Sequence, residues 1–447
     1  MKIIHIILCL LTLTARAEFV FTTNSPDTNT ITIIGYYGVV TNIPSSLDGK
    51  TVVNIGTSAF LSCNSLIDIT IPNGVTNIGR DAFDNCIGLM NIEMGSNLLS
   101  MGKSPFSYCL SLTNILVDEE NLLYSSSNGV LFNKSQTELI QYPLGRIGSF
   151  IIPNSVIAIG QHSFSRSPGI TSLKIGSGIT NFYTFDISCC GNLMEILVDS
   201  NNSFYSSSNG VLFDKSQTKL ILYPGGRIEE YVIPDKVTSI GNDSFRELPG
   251  PSSVIIGSGV TNIGSFAFYL CTNLTRIIIP DNVKTIGMGA FSKCYGLTAA
   301  EIGRGVDNIK DQGFRYCTSL TNIRFKGNAP KIEGHDNFKE VPATVFHLPP
   351  PSVYGWPGPP NLWSGLPTAL WLPIMTNGNF ISQDGRFGFN IDWTSGQTVI
   401  IESSTNLNSG WISISTNTFY GDSMFFEIPY LNQTKAFYRI CQSPIPQ

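Results

Sequence analysis

"IGSFAFYLCTNLTRIIIPDNVKT" runs from Ile263 to Thr285, and its pattern returns throughout the chain. Ile55–Asn77, "IGTSAFLSCNSLIDITIPNGVTN", carries the same residue types at the same places. Phe60, Phe83 and Phe106 are 23 residues apart, as are Phe245, Phe268, Phe291 and Phe314. Three positions after this aromatic comes Cys: Cys63, Cys86, Cys109, Cys190, Cys271, Cys294 and Cys317. Six after it comes Leu, and nine and eleven after it come apolar residues such as Ile69 and Ile71. The product, L-x-x-I-x-I, alternates apolar and outward positions as a short strand with one buried side does.

The gaps obey the same period. Phe106 to Phe164 is 58 residues, one period plus 35. One further period reaches Ile187, in the place of the aromatic, with Cys190 in register behind it. Ile187 to Phe245 is again 58. The reading is nine coils with a 35-residue addition made twice. A coil offers about six large apolar side chains, for example Val75, Ile78, Phe83, Leu89, Ile92 and Met94. Their burial cannot by itself offset the chain entropy of ordering 23 residues, so each coil needs neighbours. A stacked, quasi-one-dimensional solenoid is the expected result.

"IPNGVTNIGRDAFDNCIGLMNIEM" and "IPDNVKTIGMGAFSKCYGLTAAEI" resemble the BspA-like class of leucine-rich repeat, marked by I-P-x-x-V-T-x-I-G-x-x-A-F-x-x-C-x-x-L-x-x-I. The resemblance covers about Ile31 to Lys331. It implies a β-rich leucine-rich-repeat solenoid and an exported surface protein that adheres to host proteins, cells or matrix. It brings no catalytic residues, and the ligand varies between members. The sequence departs from the motif at Ser167 and Leu248 (for Cys), Pro251 (for Leu) and Ile187 (for Phe), where looser or bent coils are expected.

The additions contain one stretch twice: Tyr124–Pro143, "YSSSNGVLFNKSQTELIQYP", and Tyr205–Pro224, "YSSSNGVLFDKSQTKLILYP". The pattern is that of a β-hairpin with a polar turn. The changes are Asn133 to Asp214, Glu138 to Lys219 and Gln141 to Leu222. A surface sign is reversed between the copies, at Glu138 and Lys219, so the stretch reads as scaffold, not as a duplicated catalytic site. Tyr124, Tyr142, Tyr205 and Tyr223 are the residues there to test for ligand contact.

Composition narrows the function. The chain has 447 residues and net charge −5, and 13% of its residues are charged, against about 25% in an average globular protein. There is no basic run, so nucleic acid is not an expected partner. Lys2, the apolar run Ile3–Leu13 and Ala15-Arg16-Ala17 read as a secretory signal peptide over 1–17, cut after Ala17. No second segment is long and apolar enough for an integral membrane span. Secretion or cell-surface localisation follows. No H-E-x-x-H, G-x-S-x-G, P-loop or C-x-x-C motif occurs, so no enzyme activity, metal or cofactor is expected. The cysteine ladder reads mainly as buried thiols, with occasional bridges such as Cys63–Cys86 possible. Asn54, Asn77, Asn181, Asn262 and Asn308 are expected to hydrogen-bond turn backbone.

The outward residues of L-x-x-I-x-I define the expected binding face. Leu197, Ile255 and Ile278 read as an apolar streak on neighbouring coils, with Arg276 beside Ile278. Together with Tyr124 and Tyr205 these are the candidate binding residues, for an extracellular protein or glycan. The reading preferred for the streak itself is that the second addition folds over it, with an open contact face as the competing one. A structural envelope or matrix role is the second functional reading, and a hydrolase with an unrecognised site a remote third.

The expected domain order is a signal peptide (1–17), an N-terminal cap (18–54) and repeats (55–331) with hairpin-type additions near 116–150 and 197–231. A Pro- and Trp-rich cap and linker (332–375) and an all-β, sandwich-like module (376–447) follow. Ten of the 25 prolines lie between Pro330 and Pro373. In the module, "RFGFNIDW" and "TVIIESS" alternate as strands do, and Trp393 and Trp411 could form an aromatic platform or pack in its core.

Overall fold

The computed structural model describes residues 18–38, 42–164, 166–182, 184–187, 190–247, 250–348, 353–357, 361–371, 374–376, 387–392, 398–404, 411–418, 423–428 and 437–442. The expected signal peptide, Leu248, Cys189 and Trp393 lie outside them. The described chain is a β-solenoid of short strands followed by small sheets. It divides into two compact units. The first takes in the chain up to Glu230 with Lys236–Ser252 and Gly264–Leu274, and the second takes in Tyr231–Asp235, Ser253–Ile263 and Thr275 onward.

In the first unit, Glu18–Thr23 pairs antiparallel with Thr30–Tyr37. From Thr30–Tyr37 the ladder continues in parallel through Lys50–Ile55, Asn77–Ile78 and Ser100–Met101. A second side of the coils is the parallel sheet Asp68–Ile71, Asn91–Met94 and Asn114–Val117. Its inward residues Ile69, Ile71, Ile92, Met94 and Ile115 are buried. The aromatic rung is the spine: Phe60 stacks on Phe83 at 4.9 Å and Phe83 on Phe106 at 5.7 Å, all three fully buried. In the second unit Phe291 stacks on Phe314 at 5.2 Å and Phe314 on Phe338 at 5.8 Å.

The corner that carries the aromatic is made by left-handed backbone two residues before and two after it. Ser58 and Asp81 take φ near 53° and 52°, and Ser62 and Asn85 both take 58°. The glycine four residues before the Phe serves close approach. A Cβ on Gly79 would stand 2.5 Å from the Gly56 carbonyl carbon, inside any tolerable contact, so only glycine lets successive coils meet there.

The 35-residue additions are part of the ladder. Tyr124–Ser127, Val130–Asn133 and Glu138–Gln141 form an antiparallel meander, and the last of these pairs in parallel with Ala158–Ile159. Tyr205–Ser208, Val211–Asp214 and Lys219–Leu222 repeat this, the last pairing with Ser239–Ile240. Each addition therefore supplies an aromatic rung of its own. Tyr142 stacks on Phe164 and Tyr223 on Phe245, both at 4.9 Å, and both tyrosines are buried. Their expected ligand contact is corrected on this ground: the rings fill the core.

Ile187 keeps its place in the core, 2% exposed, at the end of the 3-10 turn Thr184–Ile187. In the second unit the parallel sheet runs Tyr231–Val232, Ser253–Ile255, Arg276–Ile279, Ala299–Ile302, Asn322–Phe325. It does not stop at 331. Thr344–His347 and Leu366–Leu370 add two further parallel rungs, built from the Pro- and Trp-rich segment. Beyond them, Ile374–Thr376, Phe387–Asp392 and Ser423–Ile428 make one antiparallel sheet. Ile412–Thr418, Thr398–Ser404 and Phe437–Gln442 make another. Ile391, Val399, Ile401 and Phe426 share a core with Leu348, Val353 and Trp371.

Candidate binding surface

Parallel pairing sets which outward side chains stand next to one another. In the second unit Val232, Ile255, Ile278, Glu301, Arg324 and Phe346 are successive Cα partners across the sheet. Val232, Ile255 and Ile278 are 54%, 47% and 43% exposed. Three adjacent rungs thus show an aliphatic strip to solvent. Tyr231–Val232, just after the second addition, extends the sheet by a rung, so the strip gains a residue.

The partner of Ile255 on that side is Val232, not Leu197, which corrects the expected streak. Leu197 lies in the separate sheet of Gly148–Ile151, Ile170–Ile175 and Glu195–Val198, where its partner is Lys174. It is 39% exposed. Following the L-x-x-I-x-I motif alone skips the rung that each addition contributes. Stepping back one period from Ile255, instead of to the preceding L-x-x-I-x-I, would have found Val232.

Arg276 stands beside the strip and lines a cleft of about 210 Å³ with Ala299, Ala300, Glu301, Asn322 and Arg324. Glu301 is an outward residue that is nonetheless buried. Lys326 Nζ lies 2.7 Å and Arg276 Nη2 3.7 Å from its carboxylate. The Arg324 guanidinium lies over the Trp371 ring, 5.4 Å from its centre.

Tyr124 lines a different groove in the first unit, about 420 Å³, with Met101, Lys103, Leu123, Glu138, Ile140 and Gln161 among its walls. Burial pushes its phenol up from the ordinary range. Tyr205, its counterpart, packs edge-on against Phe182 at 6.1 Å and donates to the Thr180 carbonyl at 3.4 Å. The repeat thus places the two tyrosines in different surroundings.

The cysteine ladder proves to be a hydrogen-bonding device. Cys63, Cys86, Cys109, Cys190, Cys271, Cys294 and Cys317 are free thiols, and all but Cys63 are buried. Cys86, Cys109, Cys190, Cys271 and Cys317 donate to the carbonyls of Phe60, Phe83, Phe164, Phe245 and Phe291, at 3.0–3.2 Å. Each acceptor belongs to the preceding coil's aromatic. At Ser167 this fails. The Tyr142 carbonyl is taken by Gln141 Nε2 at 2.9 Å, and the buried Ser167 hydroxyl has no partner.

The asparagine expectation is corrected too. Asn54, Asn77 and Asn308 bond the side chains of Thr32, Ser100 and Glu333, not turn backbone. Turn backbone is served by the residue after proline. Asn73, Asn154, Asp235 and Asp281 accept the amides of Ser96, Ser177, Ser258 and Arg304, each 23 residues on, at 2.8–3.1 Å.

Among the described residues, no group of three or more His, Cys, Asp or Glu side chains could hold a metal ion, and no helix is long and apolar enough to cross a membrane.

A family model described as the BspA type leucine-rich repeat region, in six copies, matches residues 40–145, 142–225 and 222–341. The chain belongs to this family. The BspA-type protein matches no curated protein. Among solved structures it is similar to a leucine-rich repeat protein from Eubacterium ventriosum, with 20% identity and a TM-score of 0.51, over 75% of this chain and 85% of that one. It is also similar to a leucine-rich cell surface protein from Faecalibacterium prausnitzii, with 23% identity and a TM-score of 0.46, over 76% of this chain and 96% of that one. The first likeness speaks to the fold.

Proposed function

We propose that this BspA-type protein is exported to the cell surface and binds an extracellular protein or glycan through the outer faces of its parallel sheets, without catalysing a reaction. The observation that carries this is the exposed strip Val232–Ile255–Ile278, held on consecutive hydrogen-bonded rungs beside a charged cleft. Apolar side chains left contiguous on a rigid surface mark an interaction site. The family supports a surface role, and the basic-residue, apolar-run and A-x-A pattern of 1–17 supports export.

The test is a screen of residues 18–447 against matrix proteins, mucins and polysaccharides. Saturable binding is expected, and Ile255→Asp with Ile278→Asp should abolish it while leaving the melting temperature unchanged. Binding that survives the double substitution removes the sheet face from the reading. Absence of any binding, with fractionation into the envelope, favours a structural role. Amino-terminal sequencing of the exported protein should begin at Glu18.

A further inference from the structure

The charged cleft and the aliphatic strip form one surface, and their combination specifies a partner. In the row Ser253, Arg276, Ala299, Asn322, alanine is the smallest side chain, and it opens the space between Arg276 and Asn322. Arg276 is 58% exposed and steadied by Glu301. Lys326 already engages that carboxylate at the shorter distance, so Glu301 does not neutralise the arginines. Arg324 is held over Trp371, and among the described residues no carboxylate lies within ion-pair distance of it. Arg276, Arg324 and Lys326 thus gather around one carboxylate that pairs with only two of them, in a chain whose net charge is −5. Planar guanidinium groups facing an open space are matched by an anion with two oxygens.

We propose that Arg276 and Arg324 receive a carboxylate side chain of a partner protein whose neighbouring aliphatic residues lie on Ile278, Ile255 and Val232. The proposal rests on the binding role given above and names its ligand class. The strip is aliphatic, and the nearby indole, Trp371, is buried beneath Arg324. Phe346, the outward partner of Arg324, is half-buried against the core of Leu348, Val353 and Trp371, so among the described residues an acidic sugar finds no exposed ring to stack on there, whereas a protein segment uses the cation and the apolar rungs together. Complementary charge orients the segment, and the strip supplies contact area.

The experiment selects random peptides displayed on phage against residues 18–447, with heparin and dextran sulfate as parallel polyanion probes. Enrichment of peptides with Asp or Glu beside Leu, Ile or Val is expected. Their affinity should drop about tenfold or more in Arg276→Gln, the scale of one charge-assisted contact, and should weaken with rising salt. Ala299→Asp, which places a carboxylate inside the cleft, should lower it as well. Arg276 is exposed, so its substitution leaves the fold intact, as circular dichroism would verify. Loss of binding in Ile255→Asp but not in Arg276→Gln or Ala299→Asp overturns the carboxylate receptor and leaves the general binding role standing. Polyanion binding without peptide enrichment overturns it in favour of an acidic glycan. No enrichment and no polyanion binding overturns it outright.

Discussion

Phe83 shows what one rung contributes. Its ring lies between Phe60 and Phe106, and its carbonyl accepts both the Cys86 amide and the Cys109 thiol. Phe83→Ala should cost about 3–5 kcal/mol, as removal of a buried aromatic does. Leu61→Ala, at a half-exposed neighbour, should stay within about 0.5 kcal/mol. Chemical denaturation compares the two. The thiols add a pH dependence. Burial, and then the nearby Cys86, push Cys63 from its ordinary 9.0 up to about 11, and burial raises Cys271 as well. The unfolded chain ionises first, so the Cys63 contribution is fully present below pH 9 and lost as pH rises toward 11. Melting temperature measured against pH should therefore fall across that window, and less steeply in Cys63→Ala. The burial of these cysteines was legible in their spacing. The bond of Cys109 or Cys271 to the preceding aromatic was not, because the acceptor carbonyl lies 26 residues away.

The hairpin pair shows the same logic one level up. Asn133 Oδ1 accepts the amides of Thr137 and Glu138, and Asp214 Oδ1 accepts those of Thr218 and Lys219. The change from Asn to Asp preserves the acceptor, which is why the turn tolerates it. Burial alone would raise the Asp214 carboxyl. Hydrogen bonds from the Lys219 and Thr218 amides and the Ser216 and Thr218 hydroxyls outweigh it and hold the group below its usual range. A lowered carboxyl stabilises above its unfolded value and loses that contribution as pH falls through the folded one. Acidification should thus speed hydrogen exchange at the Thr218 and Lys219 amides relative to Thr137 and Glu138. Asp214→Asn should erase the difference, and equal acid sensitivity of both turns would show that the carboxylate is not responsible. The hairpin and its polar turn were visible in the sequence. That its last strand is a rung of the parallel ladder was not, since the partner, Ala158–Ile159, lies beyond the repeat unit that contains it.

At the scale of the molecule, the contacts are between residues one period apart, as the recurring separation of 23 in the Asn73, Asn154, Asp235 and Asp281 bonds shows. Removing a whole period, residues 68–90, should therefore leave a folded chain, because each coil on one side of the cut meets an equivalent coil on the other. Removing 68–79 should not, since it breaks the register of every rung after it. Circular dichroism and a melting curve decide between them, the first deletion retaining a cooperative transition and the second losing it. The sequence by itself determined the period, the inward residues and the family, because burial selects the same residue type at the same place in every coil. Tertiary structure alone decided which outward residues share a sheet and which of them are buried. Val232 stands beside Ile255, Leu197 belongs to another sheet, and Glu301 is buried between Lys326 and Arg276. The physical reason is that outward positions carry no packing constraint of their own, and their neighbours are chosen by the pairing of strands far apart in the chain.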